Sequence, residues 1–357
     1  TAIKRKAQEP LRIEYDQVHR NEKPITPFII SQTCSVSEMV QRMAGTSFQA
    51  RNLARGVDIW SQMLTGERTI FLGLAGAMVP AGMRQVIVHL IENRLIDCLV
   101  STGANLFHDL HESLGRSHWQ GNSCTDDQEL AKSKIYRIYD TFVSAEEFDR
   151  TEKFVISFSS TLEQDRAYTT REFFFQLGET LSGMGADVGI LTAAAKANLP
   201  IYCPAPADSV YGTALAEARV KGESELLFDV IKDTVELIQI ACCASSTGVI
   251  FIGGGTPKNF IQQIELCGDI FGKELKGHQY AIQITTDSPQ WGGLSGCTFE
   301  EARSWRKITP DATTVTINSD ATIALPVIAS ALSESSAKII ENRKKPSFIL
   351  GKEITIQ

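Results

Sequence analysis

The sequence predicts an α/β fold: a doubly wound, mainly parallel sheet with helices on both faces, preceded by an N-terminal arm. Three observations lead there. Short continuous apolar runs recur from residue 69 onward, and runs of that kind belong to strands buried on both faces. Helical patterns separate them, as parallel crossovers require. Glycine-rich or polar sequences then follow the runs at what would be their carboxyl ends, where open α/β sheets place ligands. With 357 residues, 43% hydrophobic and 22% charged, the chain has the ordinary composition of a globular protein with a large core.

Residues 1–30 are charged and carry Pro10, Pro24 and Pro27, so they read as an arm lying over the surface or reaching a neighbouring subunit. Residues 31–357 read as one α/β domain. Within 35–64, Val36, Met39, Val40 and Met43, then Leu53, Val57 and Trp60, recur at helical spacing on either side of Gly45-Thr46, with Ser35 and Ser37 as N-caps. Residues 69–74 form a first strand, 83–93 a helix and 97–101 a second strand. Residues 154–158 fit helix or strand equally. Residues 189–198 lead into Pro200-Ile201-Tyr202-Cys203-Pro204, and 223–245 read as a long helix. A buried strand at 249–252, a helix at 257–267 and strands at 280–285 and 313–317 complete the set.

The sequences after these strands are Ser101-Thr102-Gly103, Asp208-Ser209, Gly253-Gly254-Gly255, Thr285-Thr286-Asp287 and Asn318-Ser319-Asp320. Glycine lets backbone amides approach a phosphate closely, and the following helix N-terminus adds a favourable dipole. A plain tight turn uses the same residues. No GxGxxG follows the first strand, so the usual dinucleotide fingerprint is absent.

A net charge of −7 argues against nucleic acid as a partner and suits a cationic one. The eight cysteines are scattered, without a CxxC pair, as expected in a reducing cytoplasm. The first residues lack an apolar signal core, and no stretch reaches the roughly 20 apolar residues that span a bilayer, so a soluble protein without a membrane partner is expected.

Ser304-Trp305-Arg306-Lys307-Ile308 holds the candidate catalytic amine, Lys307. An ammonium is a nucleophile only after losing its proton, and an indole two residues away can supply the apolar wall that favours the neutral amine. His108-Asp109-Leu110-His111-Glu112 invites a metal reading, but no third ligand is announced and none is expected. His108, soon after a strand end, is a candidate catalytic or pocket-lining residue, with a plain helix-capping histidine as the alternative.

Together with Thr46-Ser47-Phe48-Gln49-Ala50-Arg51-Asn52, Ile70-Phe71-Leu72-Gly73 and Asp320-Ala321, these stretches resemble, in order and spacing, the deoxyhypusine synthase family. The resemblance implies a Rossmann-like NAD-binding domain and a redox-neutral transfer. In that chemistry NAD oxidises a polyamine, an enzyme lysine takes the aminobutyl group as an imine, and an acceptor amine receives it before reduction. It implies Lys307 as that lysine, Trp305 packed on the polyamine and Glu301 at one ammonium end. Thr102, Gly103, Asp208, Gly253, Gly254, Thr286, Asp320 and Ala321 become the NAD contacts, and the assembly a homotetramer with active sites shared between subunits.

Departures fall at pocket positions. Asn259 stands where protein-modifying members carry histidine, and Leu294, in Gly292-Gly293-Leu294, where they carry an acid. Phe107-His108 replaces an acidic pair, and Arg306 replaces a glycine. This pattern resembles the deoxyhypusine synthase-like subgroup, similar to homospermidine synthases, and implies a small diamine such as putrescine as acceptor of spermidine's or putrescine's aminobutyl group. A deoxyhypusine synthase acting on a translation-factor lysine, an NAD-dependent amine oxidoreductase that releases NADH, and a binding protein without chemistry are the alternatives.

Overall fold

The computed structural model describes residues 23–357; residues 1–22 of the expected arm lie outside them. Residues 23–34 form no helix or strand and are exposed. They are fastened by the Thr26 N–H donating to the Gly45 carbonyl (2.8 Å) and by Arg42 donating to the Ile29 carbonyl (2.9 Å). Helix α1 (Val36–Met43) begins at a reciprocal cap, in which Ser35 accepts from the Glu38 N–H and the Glu38 carboxylate accepts from the Ser35 N–H. Helix α2 (Phe48–Leu64) buries Val57, Trp60, Met63 and Leu64, and the Trp60 indole donates to the Leu95 carbonyl.

Among the described residues the main sheet has six strands: β1 (Thr69–Leu74), β2 (Cys98–Ser101), β3 (Ile201–Tyr202), β4 (Thr247–Ile252), β5 (His278–Thr285) and β6 (Ile308–Asn318). They lie in the order β6-β5-β4-β1-β2-β3, every pair parallel. From the other edge this is 3-2-1-4-5-6, the doubly wound order, with its switch point between β1 and β4. Both of those strands are buried throughout, which explains their continuous apolar sequences. Their side chains alternate between two cores. Ile70, Leu72 and Leu74 join one, while Phe71, Val249 and Phe251 join the other.

The crossovers are α3 (Arg84–Glu92), α4 (Gly103–Ser113), α5 (Ala145–Ser160), α6 (Thr170–Gly183), α7 (Ile190–Ala197), α8 (Val210–Lys221), α9 (Val230–Cys243) and α10 (Gly255–Gln263), followed by α11 (Phe299–Ser304) and α12 (Ala321–Glu341). Residues 154–158 lie inside α5. The long helix expected at 223–245 is shorter. Leu227–Phe228 pairs with Ala167–Tyr168, and Asp229 then caps α9 by accepting from the Lys232 N–H. Helix α10 starts two residues earlier than expected and passes into a tighter turn at Ile264–Leu266. Strand β6 begins well before residue 313. Pro310 concealed its start, and the edge strand tolerates that proline because it lies in a bulge: Ile308 pairs with His278 and Thr313 with Tyr280, so residues 309–312 stand out of the ladder. A three-stranded antiparallel unit (Trp119–Gln120, Ile135–Ile138, Thr141–Ser144) was not expected, since its half-exposed strands have no continuous apolar run.

Helix α12 corrects a further expectation: by length and composition it is apolar enough to cross a bilayer. Here Ala324, Leu325, Ile328 and Leu332 are buried, and the helix packs on α1 and α2 as a core element.

Candidate active site

Six parallel strands place their carboxyl ends on one edge, and the residues expected to contact NAD all lie along it. Gly253 follows β4 at the switch point, in the left-handed region (φ 70°), with its N–H donating to the Ile284 carbonyl. Gly254 caps α10 without a side chain, and a Cβ there would lie 2.4 Å from the Ser295 Cα. Thr102 and Gly103 open α4. A Cβ on Gly103 would lie 2.4 Å from the Ser209 Oγ, so this turn closes directly on the Asp208-Ser209 turn that opens α8. None of these three helix starts receives a side-chain cap, which leaves amide donors facing the edge. Thr286, just beyond β5, is exposed. Asp320 caps α12, ahead of Ala321, by accepting from the Thr322 hydroxyl and N–H, and these bonds hold its carboxyl below the usual range.

The Lys307 pocket is built from α11 and the loop after β5. Thr298 caps α11 by accepting from the Glu301 N–H, which fixes Glu301 in the first turn. The helix ends at Trp305, and Arg306 reverses the chain in a left-handed conformation (φ 59°). The Lys307 carbonyl accepts from the His278 N–H, so its backbone sits at the amino end of β5 and β6 while its side chain reaches across to α10. There Nζ donates to Asn259 Oδ1 (3.2 Å) and stands 5.5 Å from the centre of the Trp305 ring. Gly292, Leu294, Cys297, Glu301 and Trp305 surround it in a hollow of about 190 Å³, where Glu301 is the one carboxylate among the described lining residues. A space this small suits a narrow linear molecule. An amine beside an aromatic face, an apolar wall and a single carboxylate can hold a second amine by its far end and form an imine at its near end.

His108 lies in α4, and it does not line this hollow. Its Nδ1 is 2.8 Å from His118 Nε2, and His118 Nδ1 is 2.7 Å from Glu112. Burial, then the neighbouring His118 and His111, push the ionisation of His108 down to about 3. Asp109 receives Arg84 (2.8 Å) and caps α7 by accepting from the Ile190 and Leu191 N–H groups. Thus the His-Asp-Leu-His-Glu stretch ties helices together. Among the described residues no three potential ligands converge on a metal site.

Residue patterns did not reveal what lies beneath the pocket. Lys258 is 1% exposed, and its Nζ donates to Gln283 Oε1 (2.9 Å) and to the Cys297 carbonyl (2.6 Å). One signal was available: Gln283 interrupts an otherwise apolar run in β5 and needs a buried partner.

Comparison with known proteins agrees with this architecture. The family model for deoxyhypusine synthase matches residues 38–332. A Methanosarcina acetivorans protein named "Probable deoxyhypusine synthase 2" is 47% identical over 324 residues, covering 89% of this chain and 93% of that protein. A "Deoxyhypusine synthase-like protein" of Chlorobaculum parvum is 37% identical, covering 83% of this chain and 85% of that one. The crystal structure of a proposed deoxyhypusine synthase from Entamoeba histolytica superposes with a TM-score of 0.57 at 19% identity, over 84% of this chain and 93% of that chain. The family match runs from α1 to α12, through both cores and across the Lys307 pocket, and so the chain belongs to the deoxyhypusine synthase family of transferases.

Proposed function

We propose that this protein is an NAD-dependent 4-aminobutyl transferase that works on polyamines through an imine on Lys307, with a small diamine as acceptor and homospermidine as product. The observation that carries the proposal is the position of Lys307 Nζ, between the Trp305 ring and Asn259, in a hollow with one carboxylate. NAD fits the strand-end edge. The uncapped amides at Gly103, Ser209 and Gly254 suit a pyrophosphate, and the close packing at Gly103 and Gly254 leaves no room for a side chain. Thr102, Asp208, Gly253, Thr286, Asp320 and Ala321 would complete the contacts. When bound there, NAD supplies a hydride acceptor that returns the hydride at the end of the cycle.

The chain's own residues do the rest. Glu301 anchors the far ammonium of the donor, and Trp305 covers its methylenes. Asn259 Oδ1 accepts from Nζ and aims it. The unprotonated Nζ attacks the imine carbon of the oxidised donor, a new C–N bond forms, and the original amine leaves with a proton. An acceptor amine attacks the Lys307 imine in the same way and frees the lysine. Neutral Asn259 and Leu294 leave few fixed anchors for a polycation, which favours a short diamine. Leu294 and Trp305 of the hollow, Trp291 next to its Gly292, and Phe48 and Ile323 near the edge are exposed. Bare apolar groups of this size support a homotetramer whose subunits cover each other's sites.

Borohydride reduction during incubation with NAD and labelled spermidine or putrescine, followed by peptide mapping, tests the proposal. A label on Lys307 is expected, and Lys307→Ala should abolish it. Lys307→Arg should fail as well, because a guanidinium stays protonated. Label on another lysine, or none in a preparation that forms product, would sink the assignment.

A further inference from the structure

We propose that Lys258 is a positioning residue: its buried ammonium bolts the loop forming one wall of the Lys307 pocket to the cofactor edge of the sheet. The role rests on the function proposed above, but the contacts that define it do not. From α10, Nζ donates to the Cys297 carbonyl in the loop and to Gln283 Oε1 in β5. Gln283 in turn donates to the Ser295 carbonyl (2.8 Å) and to the Gly253 carbonyl (2.8 Å). One lysine and one glutamine thus join the pocket wall at 295–297 to the glycine turn at the switch point. Gly254 lies so close to the same loop that a Cβ there would stand 2.4 Å from the Ser295 Cα.

A buried cation with no carboxylate partner is an expensive way to hold a loop. Lys258 is almost fully buried between the rings of Phe251 (5.9 Å) and Phe299 (5.8 Å), and it forms no ion pair among the described residues. Two neutral acceptors give only part of what water gave the ammonium. Burial pushes its ionisation down to about 8, opposed by Cys297 and Glu301 and reinforced by Lys307. A group that costs stability and directly precedes Asn259, the hydrogen-bond partner of Lys307, points to a functional role more than to a folding one. Below about pH 8 both bonds are charge-assisted, and above it they weaken, so the wall should loosen as pH rises.

Hydrogen exchange of residues 289–297, corrected for intrinsic rates and followed from about pH 6.5 to 9.5 around that ionisation, tests this on the full chain, with transfer assayed in parallel. Wild type should show a rise in exchange centred near pH 8. Lys258→Met should exchange fast throughout, without the step. Gln283→Glu places a carboxylate beside the ammonium while removing the donor to the Ser295 and Gly253 carbonyls, so exchange should start from a faster baseline and the step should move upward by roughly one pH unit or more. In transfer, Lys258→Met should lower kcat on the order of tenfold or more while KM changes by less than about threefold, the signature of misplacement and not of lost binding. A step that persists unchanged in Lys258→Met, or stays in place in Gln283→Glu, overturns the role. Should Lys258→Met not fold, Lys258→Gln, which keeps a neutral donor at that place, should show no step near pH 8, and a step that persists in it overturns the role. A wild type that shows the step but traps no imine refutes the proposed chemistry and leaves the positioning role standing.

Discussion

Arg306 holds a left-handed backbone (φ 59°), and it does so at the turn that points Trp305 and Lys307 into one pocket. For a residue with a Cβ this conformation costs roughly 1–2 kcal/mol, while glycine loses roughly 0.5–1 kcal/mol through its greater freedom when unfolded. Arg306→Gly should therefore be more stable by about 0.5 kcal/mol or slightly more, with Lys307 still in place. Denaturant unfolding of the two proteins checks this, and a clear loss of stability would mean that the exposed guanidinium makes a contact worth more than the strain. The same geometry explains why this part of the site was legible. Glu301, Trp305 and Lys307 share one short helix and its turn, so sequence neighbours are also spatial neighbours. Lys258 and Cys297 meet across 39 residues of chain, and nothing in either local sequence announces the other.

Helix α4 carries a pH dependence of its own. His108 and His111 ionise near 3 and near 4 in the folded protein, both lowered first by burial and next by His118, whereas an unfolded histidine takes up its proton near 6.5. Between those values the unfolded chain binds protons at these histidines that the folded one refuses, so their contribution to stability is full above about pH 6.5 and is lost as pH drops toward 4. Each histidine contributes a loss on the order of 1.4 kcal/mol per pH unit in that window. Melting curves at pH 7.5, 6.5, 5.5 and 4.5 should show the His108 share as the difference between wild type and His108→Gln, which should lose less stability per pH unit; buried Asp233, raised to about 7, opposes part of the decline in both proteins. No difference between the two proteins would show that the ring pair of His108 and His118 opens to solvent. Elements were legible where burial was two-sided, as in β1 and β4, whose apolar runs have no competing pattern. They were hidden where a strand was half exposed or at an edge, as in β6 with its proline, and where cap residues decided the boundary, as Asp229 does for α9.

Across the whole molecule, the strand order was the least legible feature. Separate apolar runs do not say which strands adjoin, yet that order sets the switch point between β1 and β4 beside Gly253, on the edge that the pocket loop joins through Gly254 and Ser295. That layout connects the proposed cofactor edge with the lysine pocket and leads to the last two outcomes expected of the enzyme. With the proposed cycle, product should form only with NAD present, and NADH should not accumulate in proportion to turnover; stoichiometric NADH would point to a plain amine oxidoreductase. The acceptor follows from the pocket's charge. Glu301 is the one carboxylate among the described lining residues, and Leu294 and Asn259 are neutral. Each charge-assisted hydrogen bond withheld from a cation is worth roughly 1.5–3 kcal/mol, so a site with one such anchor discriminates least against a short diamine. An acceptor lysine on a protein, by contrast, must pass the rim where Leu294 and Trp305 stand exposed and which, in the proposed tetramer, a neighbouring subunit would cover. Offered labelled spermidine with putrescine and a translation-factor substrate in competition, the enzyme should place most of the label in homospermidine. Efficient labelling of the protein, with little homospermidine, would show that the exposed rim is a docking surface for that protein and that the missing acid at Leu294 does not set the acceptor.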